Sequence, residues 1–407
     1  MRRHFPGWLV LLGAMTAIGP LSIDMYLPAF LVIAGDLGTP RGAVERTLPI
    51  FLAGLAIGQL VYGPLSDRFG RRPPLLAGLA IYLVGTIGCA LSGSIEQLTL
   101  WRLVQALGGG VGMVVSRAVI RDRLDPQGSA RALSTLMLVM GAAPILAPML
   151  GGWMLVVASW RGIFVFQALF ALGCMVAIWF GMTESLRRTD MRPLRIGTSL
   201  RTYAELMKDR RLLLPVMAGA FGMAGMFAYI AGSPFVLMGL YGLSEQQYAM
   251  VFGLNAFGLI AASQLNGWWL RKQRPNEVLR KSFWLPAASG LALLAMGLHG
   301  GVPLPLIMSG LFVFVASMGV ISPNTGAMAM ADQGRVAGAA SALLGALSFF
   351  VGMLSGLAVS FWDGQTGLPM MAIMAVCGVL STLFGATLLR RRMPDVAPEA
   401  AVVEPLA

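Results

Sequence analysis

Apolar residues run along this chain in long blocks rather than in strict alternation or in amphipathic stripes. Crossing a bilayer as a helix takes about 20 apolar residues. Twelve blocks of about that length lie at 8–33, 47–65, 75–94, 98–118, 132–157, 162–182, 212–240, 247–270, 282–301, 303–324, 337–361 and 368–389. Short clusters rich in Arg, Gly and Pro separate them. The pattern predicts an all-α membrane protein with twelve transmembrane helices. Its least defined boundary is the ninth, where Gly300, Gly301 and Pro303 leave almost no loop. The first block follows Arg2 and Arg3, as in a secretory leader. No small-residue cleavage site precedes polar sequence, however, and the block continues past Ile33, so it reads as a retained span.

Composition agrees with the pattern. Of 407 residues, 57% are hydrophobic and 12% charged, with mean hydropathy +0.75. That is about half the charged share of a soluble domain, which excludes a disordered chain and argues against a cytosolic enzyme. The formal charge of +12 would suit a nucleic-acid partner only on one continuous basic surface, and here it is broken into short clusters. With the N-terminus inside, 26 of the 30 basic residues fall in cytoplasmic segments, and Arg41, Arg46, Arg102 and Arg161 are the exceptions. By the positive-inside bias both termini are cytoplasmic. Cys89, Cys174 and Cys377 are scattered in apolar blocks, and His4 and His299 are the only histidines. Neither set makes a disulfide framework or a metal site, and the reading calls for no cofactor.

The longest hydrophilic stretch, Thr183 to Arg211, splits the blocks six and six. The expected organisation is one bundle at 1–182, a cytoplasmic loop at 183–211, a second bundle at 212–390 and a cytoplasmic tail at 391–407. A faint echo supports duplication: Gln59-Leu60-Val61-Tyr62-Gly63 after span 2 and Gln264-Leu265-Asn266-Gly267 after span 8. Paired bundles around a central cavity form a transporter plan.

Charge inside the hydrocarbon asks for a reason. Of the 18 acids only Asp24 sits well inside a block, between the midplane and the outer face. Arg102 lies near the outer start of span 4 and Arg117 near its inner end. By depth, Asp24 and Arg102 fall within one long side chain's reach. A carboxyl that loses water holds its proton, and one that meets a guanidinium releases it. The pair therefore suits proton loading and release, or a structural ion pair. Tyr26, Gln59, Tyr62, Gln105, Tyr229, Phe235 and Asn255, with Gln264 and Asn324, suit either an adaptable pocket or helix-to-helix hydrogen bonds. The dense cluster Arg121, Asp122, Arg123 and Asp125 reads as a solvated helix end without a nucleophile.

Between spans 2 and 3 the chain reads G-P-L-S-D-R-F-G-R-R, Gly63 to Arg72. This resembles the loop signature of the major facilitator superfamily, G-x-L-x-D-R-x-G-R-[KR]. The spacing predicts a close helix approach at Gly63, a tight turn at Gly70 and an Asp67–arginine pair, with Arg68, Arg71 and Arg72 holding the loop inside. Further stretches resemble the Bcr/CflA drug/proton antiporters: P-L-S-I-D-M-Y-L-P-A at Pro20 to Ala29, and Arg102 with Gln105 and Gly108. A-P-I-L-A-P-M-L-G-G, Ala143 to Gly152, resembles an antiporter motif, with Pro144, Pro148, Gly151 and Gly152. Ser134, Ala143 and Ala147 stand where its general form has glycines.

The resemblance implies a major facilitator fold of two six-helix bundles and proton-driven efflux of amphipathic drugs or small metabolites across a bacterial inner membrane. It implies proton coupling at Asp24 and Arg102, a cytoplasmic latch at the Gly63–Arg72 loop, and small molecules, protons and lipid as partners of a functional monomer. A dedicated exporter of one metabolite is the alternative within the fold. A membrane-embedded lipid-modifying enzyme is the remote one, and it would need a nucleophile cluster that the sequence lacks.

Overall fold

A computed structural model describes residues 7–191, 196–361 and 366–390. Arg2, Arg3, His4, Arg192 and Arg195 lie outside the described residues, as does the tail at 391–407, and so does the side chain of Ser134. Every regular element among the described residues is helical. In lipid no water is available to satisfy backbone N–H and C=O groups, and a helix satisfies them internally.

Among the described residues, twelve helices are long and apolar enough to cross a membrane. Spans 1 to 4 are Gly7–Asp36, Arg41–Phe69, Arg72–Ala90 and Ile95–Arg123. Span 5 is the helix Pro126–Val157, which continues through Pro144 and Pro148 without interruption. Spans 6 to 12 are Trp160–Gly181, Arg210–Leu240, Glu245–Trp269, Pro275–His299, Leu304–Met330, Ala337–Ser360 and Leu368–Arg390. All twelve blocks of the sequence become spans. The narrow boundary after span 9 is a turn at Gly300 and Gly301, with φ of +69° and +61°; Pro303 then precedes the next helix. Left-handed backbone of this kind favours glycine.

Spans 1–6 and 7–12 form two six-helix bundles. They meet where span 2 packs on span 11 and span 5 on span 8. Twelve crossings bring Gly7 and Arg390 to the same side. Arg68, Arg71, Arg72, Arg121 and Arg123 also open there, and it is called the basic face below. Between the bundles a helix, Ile196–Leu206, lies at that face, where the Tyr203 hydroxyl donates to the Leu60 carbonyl at 3.1 Å.

Five spans are interrupted: spans 2, 4 and 9 for a single residue, at Arg46, Gly110 and Phe283, and spans 1 and 7 over longer segments. Span 1 stops being α-helical at Asp24, turns through Met25 and Tyr26, passes through a 3-10 turn at Leu27–Ala29 and resumes at Phe30. Span 7, six spans later, widens to π-helix at Phe235–Leu240 directly after Pro234. The turn at Leu27–Ala29 packs on spans 7 and 8 of the other half, and the resumed helix of span 1 packs on the π-helical end of span 7.

Candidate functional site

The break in span 1 separates two polar centres. Asp24 ends the first helical piece and is only 4% exposed. Its carboxyl makes no hydrogen bond or ion pair with any described residue. It faces the second half, close enough to the hydroxyls of Tyr229 in span 7 and Tyr248 in span 8 to act on them electrostatically. Those tyrosines sit in a polar and aromatic cluster. Asn255 Nδ2 donates to the Tyr229 hydroxyl at 2.8 Å, and the hydroxyls of Ser233 and Tyr248 are 3.1 Å apart. Phe252 stacks on Tyr229 with ring centroids 5.6 Å apart and lies beside Tyr248.

Arg102 occupies the other centre, inside the first half, and is fully buried at 0% exposure. Its guanidinium lies between two rings, 4.6 Å from the Tyr26 centroid and 4.1 Å from that of Phe51. One terminal nitrogen donates to the Ser22 carbonyl at 3.0 Å and to Gln105 Oε1 at 2.7 Å. Gln105 Nε2 donates to Thr86 Oγ1 at 2.9 Å and to Gln167 Oε1 at 3.0 Å, and Gln167 Nε2 donates to the Leu21 carbonyl. Arg102 thus grips the break on both sides, through Ser22 and Tyr26. No ion pair joins it to Asp24. Similar depth did not imply contact, because the Arg102 guanidinium is held among span 1 backbone and rings while Asp24 faces the second half. The Nε and second terminal nitrogen of Arg102 are buried without an acceptor.

The remaining pocket candidates separate. Tyr26 is buried and shares a 3.0 Å hydrogen bond with Thr47, so it belongs to the Arg102 centre. Gln59 is buried against Met113 and beside Gly345 of span 11, at the contact between halves. Tyr62 is misplaced by the sequence reading. Its hydroxyl donates to the Leu107 carbonyl at 2.8 Å and its ring lines a groove at the side of the bundle, between spans 2 and 3. Phe235 also lies elsewhere, in a cavity of about 550 Å³ at the face opposite the basic one, with Arg41 5.4 Å over its ring. Gln264 is exposed, and Asn324 donates to Asn266 at 2.7 Å inside the second half. Gln59 and Gln264, matched in the sequence echo, therefore have different surroundings.

At the basic face the loop after span 2 is a hydrogen-bonded brace. Arg71 donates to Asp67 at 2.6 Å, to Asp122 at the end of span 4 at 2.8 Å and to Ser66 at 3.0 Å. Burial works against the Arg71 charge, but Asp122 and Asp67 outweigh it and hold the guanidinium proton more firmly than usual. Glu184, just past span 6, accepts from the backbone N–H groups of Arg71 at 2.8 Å and Arg72 at 3.1 Å. Burial alone would raise its titration, yet the N–H groups of Arg71, Leu186, Arg72 and Ser185 bring it below the ordinary carboxyl value. Gly70 makes the turn with φ +87°, and a Cβ there would stand 2.5 Å from Glu184 Oε2. Arg68 is exposed.

Three expectations change here. Gly63 is not a point of close approach, since a Cβ there would meet nothing within 4 Å; span 2 approaches span 4 at Gly54 instead. Asp122 is not part of a solvated helix end but a partner of Arg71. The loop's ionic partners also lie in the first half, while Arg117–Ser341, 3.5 Å apart, ties across, and Tyr203–Leu60 ties the connecting helix to the first half.

In span 5, Gly151 abuts the break in span 1. A Cβ on Gly151 would overlap the Met25 carbonyl oxygen, whereas one on Gly152 would meet Glu245 O at an ordinary 3.5 Å. At the face opposite the basic one, Arg46 lies 5.9 Å over Phe361, the residue that follows span 11, and Pro49 packs against Gly356. Together with Arg41 on Phe235, these contacts clasp the halves. Arg161 instead pairs with Asp36 at 2.7 Å inside the first half.

Sequence reasoning missed Phe51, Gln167, Tyr248, Phe252 and Glu184. Gln167 was visible as a polar residue within span 6. The aromatic residues were not, because a ring in an apolar block looks like core.

Two six-helix halves, with a broken first span and a buried carboxyl facing the interface between them, are the architecture of a membrane transporter. The chain belongs to the major facilitator superfamily, whose sequence pattern matches residues 12–357. It is 36% identical over 381 residues to an uncharacterized transporter of that superfamily from Bacillus subtilis, covering 93% of this chain and 94% of that one. It is 32% identical to a bicyclomycin resistance protein homolog from Haemophilus influenzae, covering 92% and 94%. Multidrug resistance protein D of Escherichia coli is 30% identical, with 93% and 95% covered. Among solved structures, the D-xylose-proton symporter superposes with a TM-score of 0.70 at 14% identity, covering 96% of this chain and 99% of that one. That likeness concerns the fold alone.

Proposed function

We propose that this protein exports amphipathic drugs or small metabolites in exchange for protons, by alternating access across a bacterial inner membrane. The observation that carries the reading is Asp24: a buried carboxyl without a hydrogen-bonding partner, at a helix break, aimed at the interface between the halves. The relatives named for bicyclomycin and multidrug resistance support the substrate class. The clustering of arginine on one face supports a cytoplasmic basic face.

An unpaired ionised carboxylate is costly away from water. Asp24 therefore carries its proton while buried and releases it when substrate or water reaches the interface from the cytoplasm. Arg102, with two buried nitrogens lacking acceptors, is the complementary group. A rotation at Met25 and Tyr26 brings the ionised carboxylate toward it. The outer clasp of Arg41, Arg46, Phe235 and Phe361 then opens, substrate leaves, and Asp24 is reprotonated from outside. Inward movement of one charge yields about 2.3 kcal/mol at 100 mV, which supports a gradient of nearly fiftyfold. The proton gradient drives the cycle with no cofactor or catalytic residue, and one chain holding both halves is the working unit.

Inside-out vesicles with an acid interior and a pH-sensitive dye test the reading, using a panel of antibiotics and small metabolites. A panel member should induce proton efflux with the wild type and not with Asp24→Asn. Efflux that survives the substitution moves the proton site elsewhere. A panel that moves no protons despite detectable binding refutes antiport.

A further inference from the structure

Spans 2 and 3 diverge on the outside of the first half and leave a groove of about 460 Å³, floored by Leu107 of span 4. It exists because Gly58 and Ala77 supply almost no side chain, and because Tyr62 turns its hydroxyl inward to the Leu107 carbonyl. The walls are apolar and open: Ile57 is 49% exposed and Phe69 is 53% exposed. A soluble protein would hide such a surface, but in a membrane span its natural occupant is an acyl chain.

The length and the open end narrow the occupant. From Ile57 to Phe69 a helix rises about 18 Å, close to the about 15 Å of one leaflet's hydrocarbon, half of the whole core. The groove begins near mid-membrane and ends at the basic face. There Arg68 lies 6.0 Å over the Phe69 ring, exposed, and forms no hydrogen bond or ion pair with a described residue. Its neighbours are committed elsewhere: Arg71 to Asp67 and Asp122, and Arg72 to the carbonyl and ring of Trp179. One free guanidinium thus stands at the mouth of an acyl-length apolar channel.

We infer that this groove binds one anionic phospholipid from the leaflet at the basic face, with an acyl chain between spans 2 and 3 and the headgroup phosphate on Arg68. Nothing in this inference depends on which substrate is transported or on proton coupling. A basic residue near the membrane surface favours an anionic over a zwitterionic lipid by about fivefold.

Native mass spectrometry of the full chain, released from detergent after incubation with phosphatidylglycerol or phosphatidylethanolamine, reads this directly. The wild type should retain one phosphatidylglycerol about fivefold more than phosphatidylethanolamine. Arg68→Gln should abolish that preference while leaving weak retention of both lipids. Ala77→Phe, which fills the groove from an exposed position, should lower retention of both. Arg280→Gln, an exposed arginine in the second half, should leave the wild-type pattern. The inference is overturned if the preference survives Arg68→Gln or if Ala77→Phe retains lipid like the wild type. A dimer peak that Ala77→Phe dissolves would also overturn it, by assigning the groove to a second copy of the chain.

Discussion

Gly151→Ala is the sharpest small change that the structure offers. The added methyl would overlap the Met25 carbonyl oxygen and stand 2.9 Å from Met25 C and 3.0 Å from its Cα, where ordinary contact begins at 3.4 Å. All three obstructing atoms are backbone, so no rotamer change relieves them. Span 5 and the break in span 1 must separate by at least the difference between 2.9 and 3.4 Å, and by more at the oxygen. Inserting volume into a packed contact costs about 1–3 kcal/mol, or roughly 5- to 150-fold in a conformational equilibrium. Met25 adjoins Asp24, so the displacement falls on the proposed proton site. Substrate-induced proton efflux in vesicles should fall at least about fivefold, with a lowered unfolding midpoint in detergent. Two neighbouring controls isolate the cause. Gly152→Ala enters an ordinary contact and Gly63→Ala enters open space, so both should behave like the wild type. Full transport and unchanged stability in Gly151→Ala would refute the close approach of span 5 to the break. A Gly63→Ala variant as impaired as Gly151→Ala would refute the reasoning from local space.

Other expectations follow from the same contacts. Arg102→Lys keeps a charge but loses the planar group held between Tyr26 and Phe51; desolvated cation–π contacts are worth about 2 kcal/mol, so vesicle transport should fall more than about tenfold while the folded yield by size exclusion is retained. For Glu184 the folded carboxyl titrates below its ordinary 4.5, so its contribution to stability is fully present above that pH and lost as pH falls through the lowered value. The difference in unfolding midpoint between wild type and Glu184→Gln should accordingly be constant near neutrality and vanish in acid; a difference that grows in acid would contradict this. At the outer clasp, Arg46→Gln and Phe361→Leu each remove a contact worth about 0.5–1 kcal/mol. Each should raise the outward-open fraction two- to fivefold, measured by spin-label distances between Thr39→Cys and Gln246→Cys, and the double variant should shift no further than either alone.

The spans were legible because an apolar block of bilayer length has one stable form in lipid. Even the two-glycine boundary after His299 was readable, since Gly300 and Gly301 are the residues that tolerate that turn. Depth was legible as well: counting residues put Asp24 and Arg102 at comparable levels. Direction was not, because rotation about a helix axis depends on which of eleven neighbours packs on it. Hence Arg102 meets rings and a carbonyl rather than Asp24, Tyr62 faces the groove beside the bundle, and Phe235 sits at its outer mouth. The loop signature located Arg71 and Gly70 well, because a turn and an ion pair are local. Asp122 and Glu184, which complete that brace from 51 and 113 residues away, are long-range partners that no spacing reveals.

Asp24 should give up a proton when substrate arrives. Proton release can be followed with an indicator dye in weakly buffered detergent near pH 7, after adding a compound that the vesicle panel identifies. The wild type should release a proton, and Asp24→Asn should release none while still binding the compound. Equal release from the two proteins would contradict this.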